Sequence, residues 1–337
     1  MKIKIILNLI VSVILFTSAN VFAASKKKLN TVSDKTVVKS VAKEIVKPKI
    51  LFESALEKIK SKDPITRRFG VVQFARLRDK KAIDPLFKLL SDKDASVRAA
   101  VIDALGLLRA KKALPEIANL LLKDKDERVR YTAAISLSYI GGKEAGESLI
   151  KAMDDKSAGV SYAVIRTLAV LHYVKAEEKL IKFLKKKDIN MRRSVINTLG
   201  KIRSLEAAKS IAEHYKDKDL YVRREVASAL GEIRDEKRIP TLKKMLKDDD
   251  ETIQIEAAYA LAKMKDNSGL LMAHKFIKSD NRLIKQSSSS IMALVGDENS
   301  LKILDTVYKA EKNSSIKSFI DFSRSRLVSR LKLEKKK

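Results

Sequence analysis

The chain has 337 residues, no cysteine, no tryptophan, 10 glycines, and 71 lysines and arginines against 42 acidic residues, for a formal charge of +29. Without cysteine, disulfides and thiolate metal sites are excluded, and a chain of this length so poor in turn residues reads as helical and as larger than one ordinary compact unit. The charge is concentrated at the ends: eight lysines face only Asp34 and Glu44 between Ser25 and Lys49, and seven basic residues face only Glu334 from Arg324 onward.

Residues 1–23 have the layout of a secretory signal peptide. Lys2 and Lys4 precede an apolar run from Ile5 to Phe16, and small residues follow to Ala23, with Val21 and Ala23 suited to the two subsites of a signal peptidase. Cleavage before Ala24 is expected, giving a periplasmic or extracellular protein. The alternative is a retained membrane anchor, against which the run is shorter than the roughly 20 residues that cross a bilayer. No cysteine is present to carry a lipid, and no later stretch is apolar enough to span a membrane. Residues 24–49 are polar, lysine-rich and aperiodic, a leader ahead of the first helix.

From residue 50 the sequence repeats. An apolar anchor recurs at Thr66, Val97, Val129, Val160, Met191, Val222, Ile253 and Ile284, at spacings of 31 residues with one of 32. Three residues before each anchor stand Asp63, Asp94, Asp126, Ser157, Asp188, Asp219, Asp250 and Asn281, short polar side chains that accept hydrogen bonds from free N–H groups at a helix start. Eight residues after it come Phe74, Leu105, Leu137, Leu168, Leu199, Leu230, Leu261 and Met292, and a further apolar residue follows three positions later. This is one face of a helix. A second amphipathic stretch precedes each, as in Ala82 to Leu90, Ala113 to Leu122, Ala176 to Leu184 and Ile239 to Leu246, with Pro85, Pro115 and Pro240 near the starts, where a missing backbone donor matters little. The unit is a helical hairpin that must stack on its neighbours to bury both apolar faces. Phe52, Leu56 and Ile59 begin the first core face; after Ile316 the pattern fails, Arg324 standing where an apolar residue is due, and a last helix near Ser314 to Leu333 is expected to cap the stack with a polar outer face.

The sequence resembles the HEAT repeats, in particular the short phycobilisome-lyase type. The residues that carry the likeness are Asp94, Val97, Arg98, Ala104, Leu105 and Gly106, and again Asp219, Val222, Arg223, Ala229, Leu230 and Gly231. The resemblance implies an all-α fold, a right-handed α-α superhelix of HEAT or armadillo type, with about eight hairpins over residues 50–310 and a capping helix with basic tail over 311–337. It also implies that the paired Asp and Arg columns, Asp63, Arg67, Asp94, Arg98, Asp126, Arg130, Asp188, Arg192, Asp219 and Arg223, form a structural ladder between repeats rather than an active site. The unit with Ser157 in place of Asp also has Ser161 in place of Arg, as expected if partners are lost together.

Positions two, six and nine after the anchor point away from the core face, to the side that lines the concave surface in HEAT-like solenoids. Position nine is always small, from Ala75 and Gly106 to Ala293, as close helix packing requires. Positions two and six supply Tyr131, Tyr162, Arg166, Arg193, Arg224 and Tyr259, residue types that anchor interfaces. This strip is expected to bind a protein partner bearing acidic and apolar groups.

Catalytic chemistry has few candidates. His172, His214 and His274 are the three histidines and occupy unrelated repeat positions. HEAT-fold hydroxylases use His-Glu pairs, which this sequence lacks, and HEAT-like glycosylases use tryptophan; bilin lyases share the repeat without a residue that can be carried over. No phosphate-binding glycine loop or nucleophile elbow is present. The expectation is a non-catalytic exported scaffold with no cofactor and no metal. The alternative is a basic envelope-binding protein that docks on anionic lipid or cell-wall polymer through the Lys26–Lys28 region and the Lys335–Lys337 end; nucleic acid is disfavoured by export.

Overall fold

A computed structural model describes residues 48–334; the signal-peptide layout and nearly all of the leader lie outside the described residues. All regular elements described are helical. The chain divides into two compact units between Ala82 and Ile83, inside the expected repeat body.

The first unit is one hairpin, α1 (Pro48–Lys58) and α2 (Pro64–Leu77). Asp63 caps α2 by accepting from the amides of Ile65 and Thr66, and Pro64 follows it where no backbone donor is needed. Phe52 meets Phe74 edge to face at 5.0 Å between ring centroids, and Val71 and Phe74 are fully buried. Gly70 lets the helices close: a Cβ there would stand 2.9 Å from the Ala55 carbonyl oxygen.

In the second unit seven hairpins follow in order. Their first helices are α3 (Ile83–Phe87), α5 (Leu114–Lys123), α7 (Gly146–Ala152), α9 (Glu177–Phe183), α11 (Ala208–Ala212), α13 (Ile239–Met245) and α15 (Leu270–Phe276). Their second helices are α4 (Ala95–Leu107), α6 (Glu127–Ile140), α8 (Ala158–Val170), α10 (Ile189–Lys201), α12 (Leu220–Ile233), α14 (Glu251–Lys263) and α16 (Arg282–Val295). Each second helix packs on its own first helix and on the next second helix. The capping column lies at the expected N-caps: Asp94, Asp126, Asp188, Asp219, Asp250 and Asn281 all accept from amides of the first turn, while Ser157 has the cap backbone but makes no side-chain cap bond. The residues eight after the anchor, Leu105 through Met292, are fully buried. The first helices differ from expectation at their starts. Ala113 and Ala176 are buried in three-residue 3-10 turns that precede α5 and α9.

Small residues at position nine set the spacing of the second-helix layer. A Cβ on Gly200 would stand 2.9 Å from the Cα of Ala229, and one on Gly231 2.9 Å from the Cα of Ala260. Beyond α16 come α17 (Glu298–Ala310) and α18 (Ser314–Glu334), the latter packed on both α16 and α17. Ile320 and Leu327 of α18 join Ile291, Met292 and Leu304 in the core. The outer face of α18 carries serines, as a cap requires, but also Phe322 at 65% exposure, where a polar residue was expected.

Candidate partner-binding groove

Where a ladder joins successive repeats within the second unit, the acid is not the one expected. Arg98 makes a bidentate pair with Asp124 (Nε to Oδ2 2.7 Å, Nη2 to Oδ1 2.8 Å), Arg130 with Asp155 (2.7 and 3.0 Å), Arg192 with Asp217 and Arg223 with Asp248. Each acceptor lies two residues before the next cap and also takes the N–H of that cap residue, as Asp124 does from Asp126 and Asp155 from Ser157. The third guanidinium nitrogen donates to carbonyls of its own loop, Asp92 and Lys93 for Arg98 and Ser61 and Lys62 for Arg67. The cap aspartates Asp63, Asp94, Asp126, Asp188 and Asp219 are occupied by helix amides, which is why a separate aspartate carries the inter-unit bond.

The interrupted rung follows the same rule. The partner lost with Ser161 is residue 186, where Lys186 replaces the aspartate, rather than Ser157. Tyr162 bridges the two units there instead, its hydroxyl donating to the cap Asp188 at 2.8 Å. Burial, together with this bond to a carboxylate, pushes the phenol up to about 12. Tyr162 is thus partly a structural residue.

The expected strip is brought together only in part. Tyr162, Arg166 and Arg193 line one hollow of about 500 Å³, together with Asn197, Lys201 and Glu225. Asn197, Lys201 and Glu225 also line the next hollow, of about 550 Å³, with His172, Arg203 and Glu232, so the two are continuous along α8, α10 and α12. Arg224 is set apart: it and Arg193 flank the ring of Tyr221, at 5.6 and 4.9 Å from its centroid. Tyr259 lines a third hollow against α16 and α18, with the Lys263 ammonium 4.5 Å from its ring centroid. Tyr131 stands 43% exposed on α6.

Charge in the groove is mixed. Asn197 donates to Glu225 at 2.6 Å, and Lys263 pairs with Glu232 at 2.7 Å. Burial raises the carboxyl of Glu256 above its ordinary range despite the nearby Lys263 and the Ser228 hydroxyl. The histidines do not converge. His274 bonds Ser300 at 2.8 Å, His214 lies 3.8 Å from Asp217, and His172 ends α8. Among the described residues no group of three or more histidines and acids could hold a metal ion, and no helix is long and apolar enough to cross a membrane.

Sequence reasoning missed two features that the alignment could have shown. One is the column two residues before the caps, which holds an aspartate in five of the eight repeats, Asp92, Asp124, Asp155, Asp217 and Asp248. The other is the basic residue twelve after the anchor, at Arg78, Arg109, His172, Arg203, Arg234 and Lys265. Tyr221 left no periodic signal, because its place between two arginines depends on how α10 and α12 pack.

The family model for HEAT repeats matches residues 52–138, 95–169, 146–220, 177–262 and 212–288, and the chain belongs to this family. Its fold is similar to that of Escherichia coli YibA, at 22% identity and a TM-score of 0.52, covering 76% of this chain and 94% of that one. An engineered protein aligns at 20% identity and a TM-score of 0.48 over 90% of this chain and 97% of its own. The complex of CpcE and CpcF of phycocyanin lyase from Nostoc aligns at 20% identity and a TM-score of 0.42 over 71% and 94%. No curated protein matches the chain in sequence. The protein is a helical repeat scaffold.

Proposed function

We propose that this protein is an exported, non-catalytic scaffold that binds a protein partner along the groove of its second-helix layer. The observation that carries the reading is the continuity of the groove from Tyr162 to Glu232 across three successive repeats, lined by arginine and amide groups that the core does not require and by the partly structural Tyr162. Tyr and Arg combine large contact area with a polar end, and anchor interfaces more often than other residues. Arg193 and Arg224 stacked on Tyr221 form a preformed cationic and aromatic ridge beside it. Export rests on the Lys2 to Ala23 layout, and N-terminal sequencing of the protein from its host is expected to find Ala24 first.

The test is site-specific photocrosslinking in the native envelope, with the crosslinker at Val170 in the groove or at Lys182 on a first helix. The groove position is expected to yield a protein adduct that the Lys182 position does not, and Arg193→Glu with Arg224→Glu should abolish it. Adducts from Lys182 alone, or an undiminished adduct in the double variant, would count against the groove. Binding that disappears only when both lysine-rich termini are trimmed, and falls steeply with salt, would favour docking on an anionic envelope surface instead.

A further inference from the structure

Twelve positions after the anchor the backbone enters the left-handed region in the second unit at Arg109 (φ 51°), His172 (φ 48°), Arg203 (φ 55°), Arg234 (φ 61°) and Lys265 (φ 64°), but not after the last anchor, where Gly296 has φ −70°. A side chain with a Cβ costs about 1–2 kcal/mol in that conformation. The same column contains the unstrained solution, Gly141 at φ 67°. A cation at a helix C-terminus recovers about 0.3–1 kcal/mol from the helix dipole, which offsets only part of the strain. Local stability therefore does not explain why five units keep a basic residue where glycine fits. All five are exposed, and among the described residues none forms an ion pair or a side-chain hydrogen bond.

These residues, four of them cations and one the imidazole of His172, form a row. His172 and Arg203 line one hollow, and Arg234 and Lys265 line the next. Between them the Glu232 carboxyl is held below its ordinary range, first by its hydrogen bond from Lys263 and then by the charges that include Arg203 and Arg234. Two residues before the row, Leu107, Tyr139 and Val170 are 44, 50 and 59% exposed. At its C-terminal end the row runs into a hollow of about 740 Å³ where Tyr259, Leu294, Phe319 and Phe322 lie beside Arg234, Lys265 and Arg326.

We propose that this edge binds an extended acidic peptide segment carrying large apolar side chains, with carboxylates along the row and one apolar side chain seated in the terminal hollow. Packed helices lie about 8–10 Å apart. A segment in the polyproline II conformation returns every third side chain to the same face after about 9 Å, so one carboxylate meets each unit. A polymer of uniform negative charge leaves Val170, Phe319 and Phe322 without a partner, which favours a peptide. The inference rests on the groove reading and names the chemistry of its partner.

Fluorescence anisotropy on the mature protein would use three labelled probes: a peptide alternating glutamate pairs with leucine and ending in phenylalanine, an oligoglutamate of equal charge, and a single-stranded oligonucleotide. The mixed peptide is expected to bind most tightly. Replacing Arg203→Gly, Arg234→Gly and Lys265→Gly together should weaken it about tenfold, three exposed charge pairs' worth, with thermal stability unchanged or higher because glycine relieves the strain. Phe322→Ser should weaken the mixed peptide and leave oligoglutamate unaffected. Unchanged affinity in the triple variant, or an oligoglutamate or oligonucleotide that binds as tightly as the mixed peptide, overturns the proposal. If the triple variant binds normally while Arg193→Glu with Arg224→Glu abolishes the crosslinked adduct, the row is wrong and the groove stands; if neither set of changes matters, both readings fall.

Discussion

The Arg130 side chain is 4% exposed and that of Asp155 8%, so removing either leaves its partner charged in a place that water barely reaches. Burial alone would raise the Asp155 carboxyl, but hydrogen bonds from Arg130 and the Ser157 amide outweigh it and hold the group below its ordinary range. Deleting one member of such a pair costs about 3–5 kcal/mol. Arg130→Ala is therefore expected to lower stability by that order in chemical denaturation. Arg192→Ala, whose pair with Asp217 is 14% and 10% exposed, should cost somewhat less, because the Arg192 side of the pair is more open and lets water in to the carboxylate left behind. Neither change should weaken the groove crosslink at Val170. Equal denaturation midpoints for Arg130→Ala and the unaltered protein would remove the ladder from the account of cohesion.

At the scale of the helix, α4, α6, α10 and α12 have the same parts: an Asx cap, a ladder arginine in the first turn, a buried leucine in the third, and a left-handed residue at the end, whereas α14 has Gln254 and α16 Lys285 in place of the arginine and α16 ends on Gly296 at φ −70°. The helix α8 shows which parts belong together. It lacks the cap bond at Ser157, the guanidinium at residue 161 and the acceptor at residue 186, and it has Tyr162 bonded to Asp188 in their place. Installing the missing rung as Ser161→Arg with Lys186→Asp is expected to stabilise, whereas Ser161→Arg alone sets two cations against each other and destabilises. A double-mutant cycle should give a favourable coupling of about 1–3 kcal/mol. Additive effects would mean that position 186 does not face position 161 as Asp155 faces Arg130.

For the whole molecule, the many carboxylates engaged in caps and rungs set the response to acid. Asp126, Asp155, Asp188, Asp248, Asp250 and Asp297 are all held below their ordinary range, so the unfolded chain takes up protons before the native one as pH falls. The stability they contribute is complete above the unfolded value of about 4 and is lost as pH drops through the lower native values. His214 and His274, lowered by burial, act in the same direction from about pH 6.5 downward. Asp103 and Glu256, raised by burial, act oppositely: the stability they give is present in acid and lost as pH rises through their native values. Because the lowered carboxyls outnumber these two, melting followed by circular dichroism should show a small decline below about pH 6.5 and a steep one below about pH 4. A melting temperature that rises on acidification through pH 4 would contradict this count.

The recurrence of apolar anchors at 31-residue spacing determined the helical hairpins, the caps and the HEAT family, because hydrophobic periodicity and short polar caps are local properties that each unit states for itself. The inward and outward faces of the second helices followed from the 100° step alone. Tertiary structure decided which aspartate each arginine meets, since the cap aspartates were already occupied and the bond needed a donor and acceptor about 25 residues apart to be brought within 3 Å. It also decided that Tyr162 bridges units, that Tyr221 lies between two arginines, and that the basic residues closing the helices line up beside an apolar hollow. Those facts depend on how far one helix is turned and shifted against the next, and packing fixes that only when the units are stacked.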